Sequence, residues 1–391
     1  MQLYILDNAI RRAEVVESYE SLIWTERWAQ YGDFQLDISP NMADKILTTQ
    51  GTMLAIDRSN RVMFVNEVEN ALTEEGKRVL RITGFSLEAK LLERPNDYTA
   101  IVSGAGATQV TLGPATPGDI MRTLFHAICR TNPAPFDSDN MPFIQAGVYS
   151  PATTIPEPDE VITVQSPLNN LYDTLKSIAE VSKLGFRIIR PADDSKLYFE
   201  VYTGNDRTTA QTVNSHVVFS PELDTLDNYK ELTSTRAYRN VAYVYAPNGS
   251  RIVYGDNADT STAGFDKHIL IVDASDLDGA AGPILDDQMA QRGREELAKA
   301  NIVWGFDGEI PQASKYAYGT YYELGDLVEQ RTSSGLINKM RVTEQIFSHD
   351  AEGERSYPTL TVDTLVLPGT WDAISPSVFW ESYTTQHWDE I

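Results

Sequence analysis

A stretch near the end of this 391-residue chain echoes one near its start, and the echo limits what the chain can fold into. Thr49 to Arg58 reads TQGTMLAIDR and runs on into SNRVMFVNEVENALTEEGK, while Tyr321 to Arg331 reads YYELGDLVEQR and runs on into TSSGLINKMRVTEQIFSHDAEGE. Each segment begins with a glycine (Gly51, Gly325) that opens a short apolar run. A polar turn follows, then a basic residue leads an alternating strand. A glutamate in that strand (Glu67, Glu344) stands nine residues before a glycine in an acidic turn (Gly76, Gly353), and a third alternating strand closes the unit. Alternation with period two is the signature of a half-buried strand. Three such strands on short turns, present twice, predict one small β-barrel used twice.

A chain of this length exceeds one compact core, so two to four domains is the expectation at roughly 100–200 residues each. The charge is unusual: 32 basic and 56 acidic residues give −24. Such a surface repels nucleic-acid backbone and anionic membranes, so neither is expected as a stably bound partner. The single cysteine, Cys129, excludes an internal disulfide; its place in MRTLFHAICRT predicts a buried, inert thiol on a helix. The opening MQLYILDNAIRRAE lacks the basic-then-apolar pattern of a signal peptide, and no run of about 18 apolar residues occurs, so synthesis and folding in a cytosol are expected.

The fold class expected is mainly β with α+β elements, divided into several domains. Residues 1–95 form the first β-barrel, from MQLYIL, DFQLDIS, TMLAID, RVMFVNEVE and RVLRITGF. Residues 96–210 form an α+β module. Its first helix starts with Thr116 as N-cap, Pro117 in the first turn and Asp119 against the dipole. A Pro-rich connection over 131–167 leads to a second helix, with Ser166 as N-cap, Pro167 after it, an apolar stripe from Leu168 through Leu171, Tyr172, Leu175, Ile178 and Ala179, and Gly185 as its stop. The strand KLYFEVYTG follows, with Leu197, Phe199 and Val201 on one face. Residues 211–250 and 311–368 form the second β-barrel, interrupted by a strand-helix insertion over 251–310. Residues 369–391 are a short aromatic tail.

Signs of chemistry are few. The five histidines are scattered, without a His-x-x-x-His pair or a cysteine cluster for zinc. DASDLDG (Asp273 to Gly279) fails as a calcium loop, because with Gly279 as the turn glycine the first ligand position is Ala274 and the bidentate position falls on Leu285. VSGAGATQ offers only Gly104 and Gly106, short of a phosphate-binding fingerprint, and GFSLE lacks the second glycine of a hydrolase elbow. No catalytic, metal-ligating or cofactor-binding residues are therefore assigned.

Several runs taken in order resemble the tail-hub proteins of siphophages. SLIWTERWAQYGDFQLDIS is similar to that family's opening strand pair, and RITGFSLEAKLLER (Arg81 to Arg94) to the end of its first barrel, entering a helix. LNNLYDTLKSIAEVSKLGFRI and KLYFEVYTGNDRT resemble its middle helix, strand and Gly-x-Asp-Arg-Thr signature, here Gly204, Asp206, Arg207 and Thr208. VVFSPELDTL with RNVAYVYA, then ELGDLVEQR with RVTEQI, resemble its next strands and closing barrel. The matches cover nearly the whole chain.

The resemblance implies a non-enzymatic virion protein at the tip of a long non-contractile tail, made in the host cytoplasm. It implies a homotrimeric ring, in which two barrels per copy fit a sixfold tail tube. The implied partners are the distal tail protein ring, the tape measure protein and tail-tip or fibre proteins, with DNA only in transit through an acidic lumen. The alternatives are the hub of a contractile injection device and a tail-associated cell-wall hydrolase; because the sequence stops soon after its last barrel strand, digestion of the wall is expected of other proteins. Gly51, Gly325, Asp326, Gly204, Asp206 and Arg207 are the structural candidates: Gly51 and Gly325 for tight strand entry or as ordinary turn glycines, Gly204 as part of the Gly-x-Asp-Arg-Thr signature, Asp206 and Arg207 either for a pair across a module boundary or for a solvated turn. Trp371, Phe379, Trp380, Tyr383 and Trp388 are the candidates for a partner-facing surface, with packing on their own chain as the alternative.

Overall fold

The computed structural model describes residues 1–40, 49–72, 76, 78–98, 109–132, 135–146, 153–191, 196–225, 227–255, 258–277, 282–300, 303–309, 316–331 and 337–364. It is mainly β with helical elements. The N-terminal strands are β1 (Leu3–Leu6), β2 (Arg12–Val16), β3 (Ser21–Arg27), β4 (Asp33–Ile38), β5 (Met53–Ile56), β6 (Met63–Leu72) and β7 (Arg78–Ser86), and a 3₁₀ turn over Leu87–Glu93 leaves them. β8 (Gln109–Ala115), α1 (Pro117–Cys129), β9 (Ile144–Ala146), β10 (Ile162–Pro167), α2 (Leu171–Ser182), β11 (Gly185–Ile189) and β12 (Leu197–Tyr202) follow. The C-terminal half holds β13 (Val218–Phe219), β14 (Asp227–Ser234), β15 (Val241–Ala246), β16 (Gly249–Tyr254), β17 (Ile269–Asp273), α3 (Gly282–Lys299), β18 (Val303–Glu309), β19 (Leu327–Arg331), β20 (Ile337–Asp350) and β21 (Gly353–Thr364).

The two echoing segments fold alike. β5-β6-β7 and β19-β20-β21 are both antiparallel meanders. Each long middle strand bulges at the same place, between Val65 and Glu67 in one and between Val342 and Glu344 in the other. The amide of Gly51 donates to Val65 O at 2.8 Å, and that of Gly325 to Val342 O at 2.8 Å. In return the valine amides donate to the carbonyls of Thr52 and Asp326, at 2.9 and 3.0 Å. The glycines share left-handed backbone, φ +85° at Gly51 and +91° at Gly325, a conformation open to Gly at little steric cost.

The likeness extends sideways. β7 pairs with β4, which pairs with β3; β21 pairs with β18, which pairs with β14. The order β3-β4-β7-β6-β5 therefore matches β14-β18-β21-β20-β19. The two sets are not separate barrels: β3 also pairs with β20, and one 13-stranded sheet runs through both, with no barrel closure among the described residues. Phe347 of β20 enters the N-terminal core beside Trp24, which is why the sheet continues across.

Around this sheet, α1, α2 and the small sheet β11-β12-β9 share one core, with Phe125 stacked on Phe199 at 3.9 Å between centroids. α1 starts as its sequence predicts, with Thr116 Oγ1 accepting from Asp119 N at 3.3 Å. α2 does not. Its N-cap is Asn170, whose side chain accepts from Asp173 N at 2.8 Å, while Ser166 and Pro167 belong to β10 and pair with Val110 and Gln109. Leu168 is consequently exposed, and the helix ends at Lys183 in left-handed backbone rather than at Gly185, which begins β11. The connection over 131–167 is likewise not wholly irregular, since it contributes β9 and β10. A further three-stranded sheet, β16-β15-β17, carries α3 on one face. Pairing thus takes Val241–Ala246 into this small module and returns Val303–Glu309 to the main sheet, shifting both edges of the insertion expected over 251–310.

Candidate functional site: the joint between the repeat units and the α+β module

Where β12 ends, the chain turns through Thr203, Gly204, Asn205, Asp206 and Arg207 and meets the start of the second repeat unit. Gly204 has φ +88°, and a Cβ there would stand 2.2 Å from Gly325 O and 2.7 Å from Asp326 N. Only a residue without a side chain lets the two backbones approach this closely. Asp326, 1% exposed, fixes the contact. Its Oδ1 accepts from Asn205 N at 2.7 Å; its Oδ2 accepts from Arg207 Nε at 2.6 Å and from Glu323 N at 3.0 Å. Arg207 N donates to Leu327 O at 2.8 Å, and Leu327 N to Asn205 O at 2.9 Å, so the turn adds a short parallel bridge to β19. Burial raises the Asp326 carboxyl above its ordinary value, with Arg207 and the backbone donors opposing it.

Asp206 is a partner in the same joint. Its Oδ1 accepts from the amide and hydroxyl of Thr208 at 2.9 and 2.7 Å, and its Oδ2 faces Lys339 Nζ at 3.3 Å. Burial alone would raise this carboxyl; the Thr208 donors and Lys339 outweigh it and hold it below the usual range. Five of the six structural candidates therefore converge here, namely Gly204, Asp206, Arg207, Gly325 and Asp326. Gly51 lies apart, at the equivalent place in the first unit, where a Cβ would meet nothing within 4 Å. Trp371, Phe379, Trp380, Tyr383 and Trp388 lie outside the described residues.

Sequence reasoning missed the other half of the joint. The Trp28 indole lies against Gly185 and Gly325, where added Cβ atoms would stand 2.1 and 2.8 Å from its Nε1. The Arg341 guanidinium stacks 4.5 Å from the Trp28 ring and donates to Thr203 O at 2.9 Å and Gly325 O at 2.8 Å. Below it lies a set of buried charges. Arg61 pairs with Glu88, whose Oε1 also accepts from Ile188 N at 2.7 Å. Arg187 pairs with Glu200 at 3.0 Å and stacks 4.3 Å from Tyr202; Glu26 accepts from Trp24 Nε1 at 3.0 Å and Tyr318 OH at 3.3 Å. Burial pushes the Glu26 carboxyl up, against the pull of Arg61. The only signal available in the sequence was negative: charged residues at otherwise apolar strand positions, such as Glu26 in SLIWTER.

These groups hold backbone and one another. Buried, paired charges of this kind fix one arrangement of the parts they join, although Glu88 Oε2, Trp28 Nε1 and Tyr202 OH are buried without a hydrogen-bond partner. Among the described residues no three His, Cys, Asp or Glu side chains come together at metal-binding range. Cys129 is buried, and burial pushes its thiol up to about 12.

The repeated sheet with its attached α+β module is a fold shared with phage tail proteins. A tail protein from Neisseria meningitidis MC58 superposes with a TM-score of 0.55 at 13% identity, over 93% of this chain and 96% of that one. The 43 kDa tail protein of prophage MuSo2 from Shewanella oneidensis gives 0.52 at 14% identity, over 92% and 97%. Residues 2–360 match the family described as Siphovirus ReqiPepy6 Gp37-like protein, and the chain belongs to that family. No curated protein matches the sequence.

Proposed function

We propose that the chain is the hub at the tip of a long non-contractile phage tail, working as a ring of three copies. One observation carries the ring. The β3–β20 junction joins the two repeat units inside one chain, and the equivalent junction is unfilled among the described residues. The counterpart of β20 is β6, which beyond Val65 pairs with β7 alone among the described residues; the counterpart of β3 is β14, which pairs with β18 alone. An open strand edge is a template for another strand. Joining β14 of one copy to β6 of the next repeats the internal junction, a head-to-tail contact that forms a ring when its rotation closes. With two equivalent units per copy, three copies present six similar surfaces to a sixfold tail tube.

The internal junction supplies the register. Glu344 faces Arg27 and Ile346 faces Thr25, which maps to Glu67 facing Ser234 and Glu69 facing Leu232 between copies. The charge of −24 suits a lumen that DNA traverses without binding, since like charge repels the phosphate backbone. On this reading the neighbours in the virion are a distal tail ring, the tape measure protein and tip or fibre proteins, and the work is mechanical rather than catalytic.

The test is a Glu69→Cys, Leu232→Cys double variant, oxidised and run without reductant. The expected result is a ladder of dimer and covalent trimer that stops there, alongside a trimeric mass by light scattering. A ladder running past the trimer would refute the closed ring of three, and a trimer that never cross-links would refute the strand register.

A further inference from the structure

The module built of β15, β16, β17 and α3 has one covered face and one open face. Ala242 and Val244 of β15, with Val253 and Val272, turn toward α3 and pack on Leu285, Met289 and Leu297. On the opposite face the ladders set side chains in rows across the strands. Ile252, Tyr243 and Ile271 make the middle row; Ser250, Tyr245 and Asp273 make the row where β15 and β17 finish. Ile271 is 75% exposed, Tyr245 50% and Ile252 49%. Isoleucines beside one another in a sheet, open to solvent on that scale, form an apolar patch rather than scattered exposure.

The charges on this face stand on opposite sides of the middle row. β15, β16 and β17 carry two charged residues, Arg251 and Asp273. Arg251 sits opposite Val244 on the α3 side, where it donates to Asp286 O at 2.8 Å. Asp273 is exposed on the open side, two residues past Ile271 and so about 7 Å beyond the middle row; its Oδ1 accepts from Ser275 N at 2.9 Å. Lys267 leaves the backbone four residues before Ile271, on the other side, and its Nζ comes to 5.3 Å from the Tyr243 ring centroid. An apolar centre with a cation to one side and an anion to the other is complementary to itself turned end over end. A two-fold axis across the strands, over the middle row, sets Ile252 and Ile271 against their own counterparts. It also brings Lys267 of each copy to Asp273 of the other, across the roughly 10 Å that separates packed sheets.

We propose that the open face of the β16-β15-β17 sheet docks on the same face of a second copy, centred on Ile252, Tyr243 and Ile271 and flanked by two Lys267–Asp273 pairs. Three strands about 4.8 Å apart and about 20 Å long offer roughly 300 Å² per copy, well under the roughly 800 Å² of a standard interface, so the contact is weak and concentration-dependent. It uses neither β14 nor β6 and stands whether or not the ring forms, doubling whichever unit that contact makes.

Sedimentation equilibrium of the full chain over a range of concentrations tests it. The mass is expected to double as concentration rises, from one copy to two or from three to six. Ile271→Asp spoils the face without touching the α3 core and is expected to weaken the doubling at least tenfold; Val213→Asp, at a position 81% exposed elsewhere, is expected to leave it unchanged. Lys267→Glu or Asp273→Lys alone sets like charges opposite one another in both symmetric pairs, for a loss of about tenfold. The two together reverse both signs and are expected to restore association. Absence of doubling in wild type, or doubling that Ile271→Asp does not weaken, would overturn the proposal. Single reversals without effect, or not rescued by their combination, would overturn the end-over-end pairing.

Discussion

Three glycines with nearly the same backbone angle give a graded test of how the joint is built. Gly51, Gly204 and Gly325 have φ of +85°, +88° and +91°. Alanine in left-handed backbone costs about 1–2 kcal/mol, partly offset by about 0.4–1 kcal/mol because the unfolded chain loses freedom. If φ were the whole story, the three substitutions would be equal. Around Gly51 a Cβ meets nothing within 4 Å, so Gly51→Ala is expected to cost about 1 kcal/mol net. At Gly325 the Cβ stands 2.8 Å from Trp28 Nε1, and the indole cannot slide away because Gly185 backs it and Arg341 covers it. Overpacking adds about 1–3 kcal/mol there, for about 2–4 in all. At Gly204 the obstacle is the backbone of Gly325 and Asp326 at 2.2–2.7 Å. Relief requires parting the turn from β19, so a loss above about 4 kcal/mol is expected, in the range that abolishes folding.

Calorimetric melting of the purified variants reads the order. Domains of 150–250 residues shift by about 2–4 °C per kcal/mol, and a longer chain shifts less. Gly51→Ala is expected to melt within a few degrees of wild type, Gly325→Ala clearly below it, and Gly204→Ala to be recovered poorly or not at all. Equal shifts for Gly51→Ala and Gly325→Ala would refute the wedging of Trp28 between the glycines. A well-folded Gly204→Ala would refute the close approach on which the joint depends.

The remaining predictions concern its charges. Asp326→Asn puts amide hydrogens opposite the donors of Arg207 and Glu323 and leaves a largely buried guanidinium unpaired, so a loss of about 3–5 kcal/mol is expected, checked by the melting temperature. Arg27→Ala removes the pair to Glu344 across the β3–β20 junction and the pair to Asp33 of β4, each at 2.6 Å. Because these groups are partly exposed the loss is about 1 kcal/mol, seen as faster hydrogen exchange over residues 344–349 with little change in α1. Glu26 has its carboxyl raised by burial, so its contribution to stability is complete in acid and is lost as pH rises through the raised value. Glu26→Gln mimics the protonated form; it is expected to melt above wild type at pH 8 and level with it near pH 4, and a wild-type advantage at pH 8 would refute the sign.

The repeat was legible because its determinants are local. A glycine that must adopt positive φ, a turn and an alternating strand leave marks at fixed spacing, and the paired bulges before Glu67 and Glu344 lie where the two sequences align. The first helix was legible for the same reason, through Thr116, Pro117 and Asp119. The second was misread at its start because Ser166-Pro167 and Asn170 both satisfy the N-cap rule, and only pairing with β8 decides between them. The continuous sheet was not legible at all. That β3 joins β20 depends on Phe347 reaching the core around Trp24, a contact between residues more than three hundred positions apart. Of the joint, the Gly204–Arg207 turn and Gly325–Asp326 were visible as separate motifs, but nothing in the sequence says that they touch, or that Trp28 and Arg341 close over them.

The way the two units differ is what the proposed ring, in which a duplicated element serves an object of lower symmetry, would require. Thr52 and Asp326 hold the same place in the repeat, each accepting a valine amide on its backbone carbonyl. In addition, the Asp326 carboxylate captures the turn that ends the α+β module. Glu67 and Glu344 diverge in the same manner: Glu344 is tied to Arg27 inside the chain, while Glu67 is exposed on the open edge of β6. The sheet framework is thus kept nearly the same in both units, which suits a sixfold neighbour. At these positions the attaching carboxylates, Asp326 and Glu344, both belong to the second unit, as threefold partners in the proposed ring would require. Restoring equivalence at one such position, by Asp326→Thr, should therefore release the α+β module from the sheet before it disturbs the β19-β20-β21 meander itself.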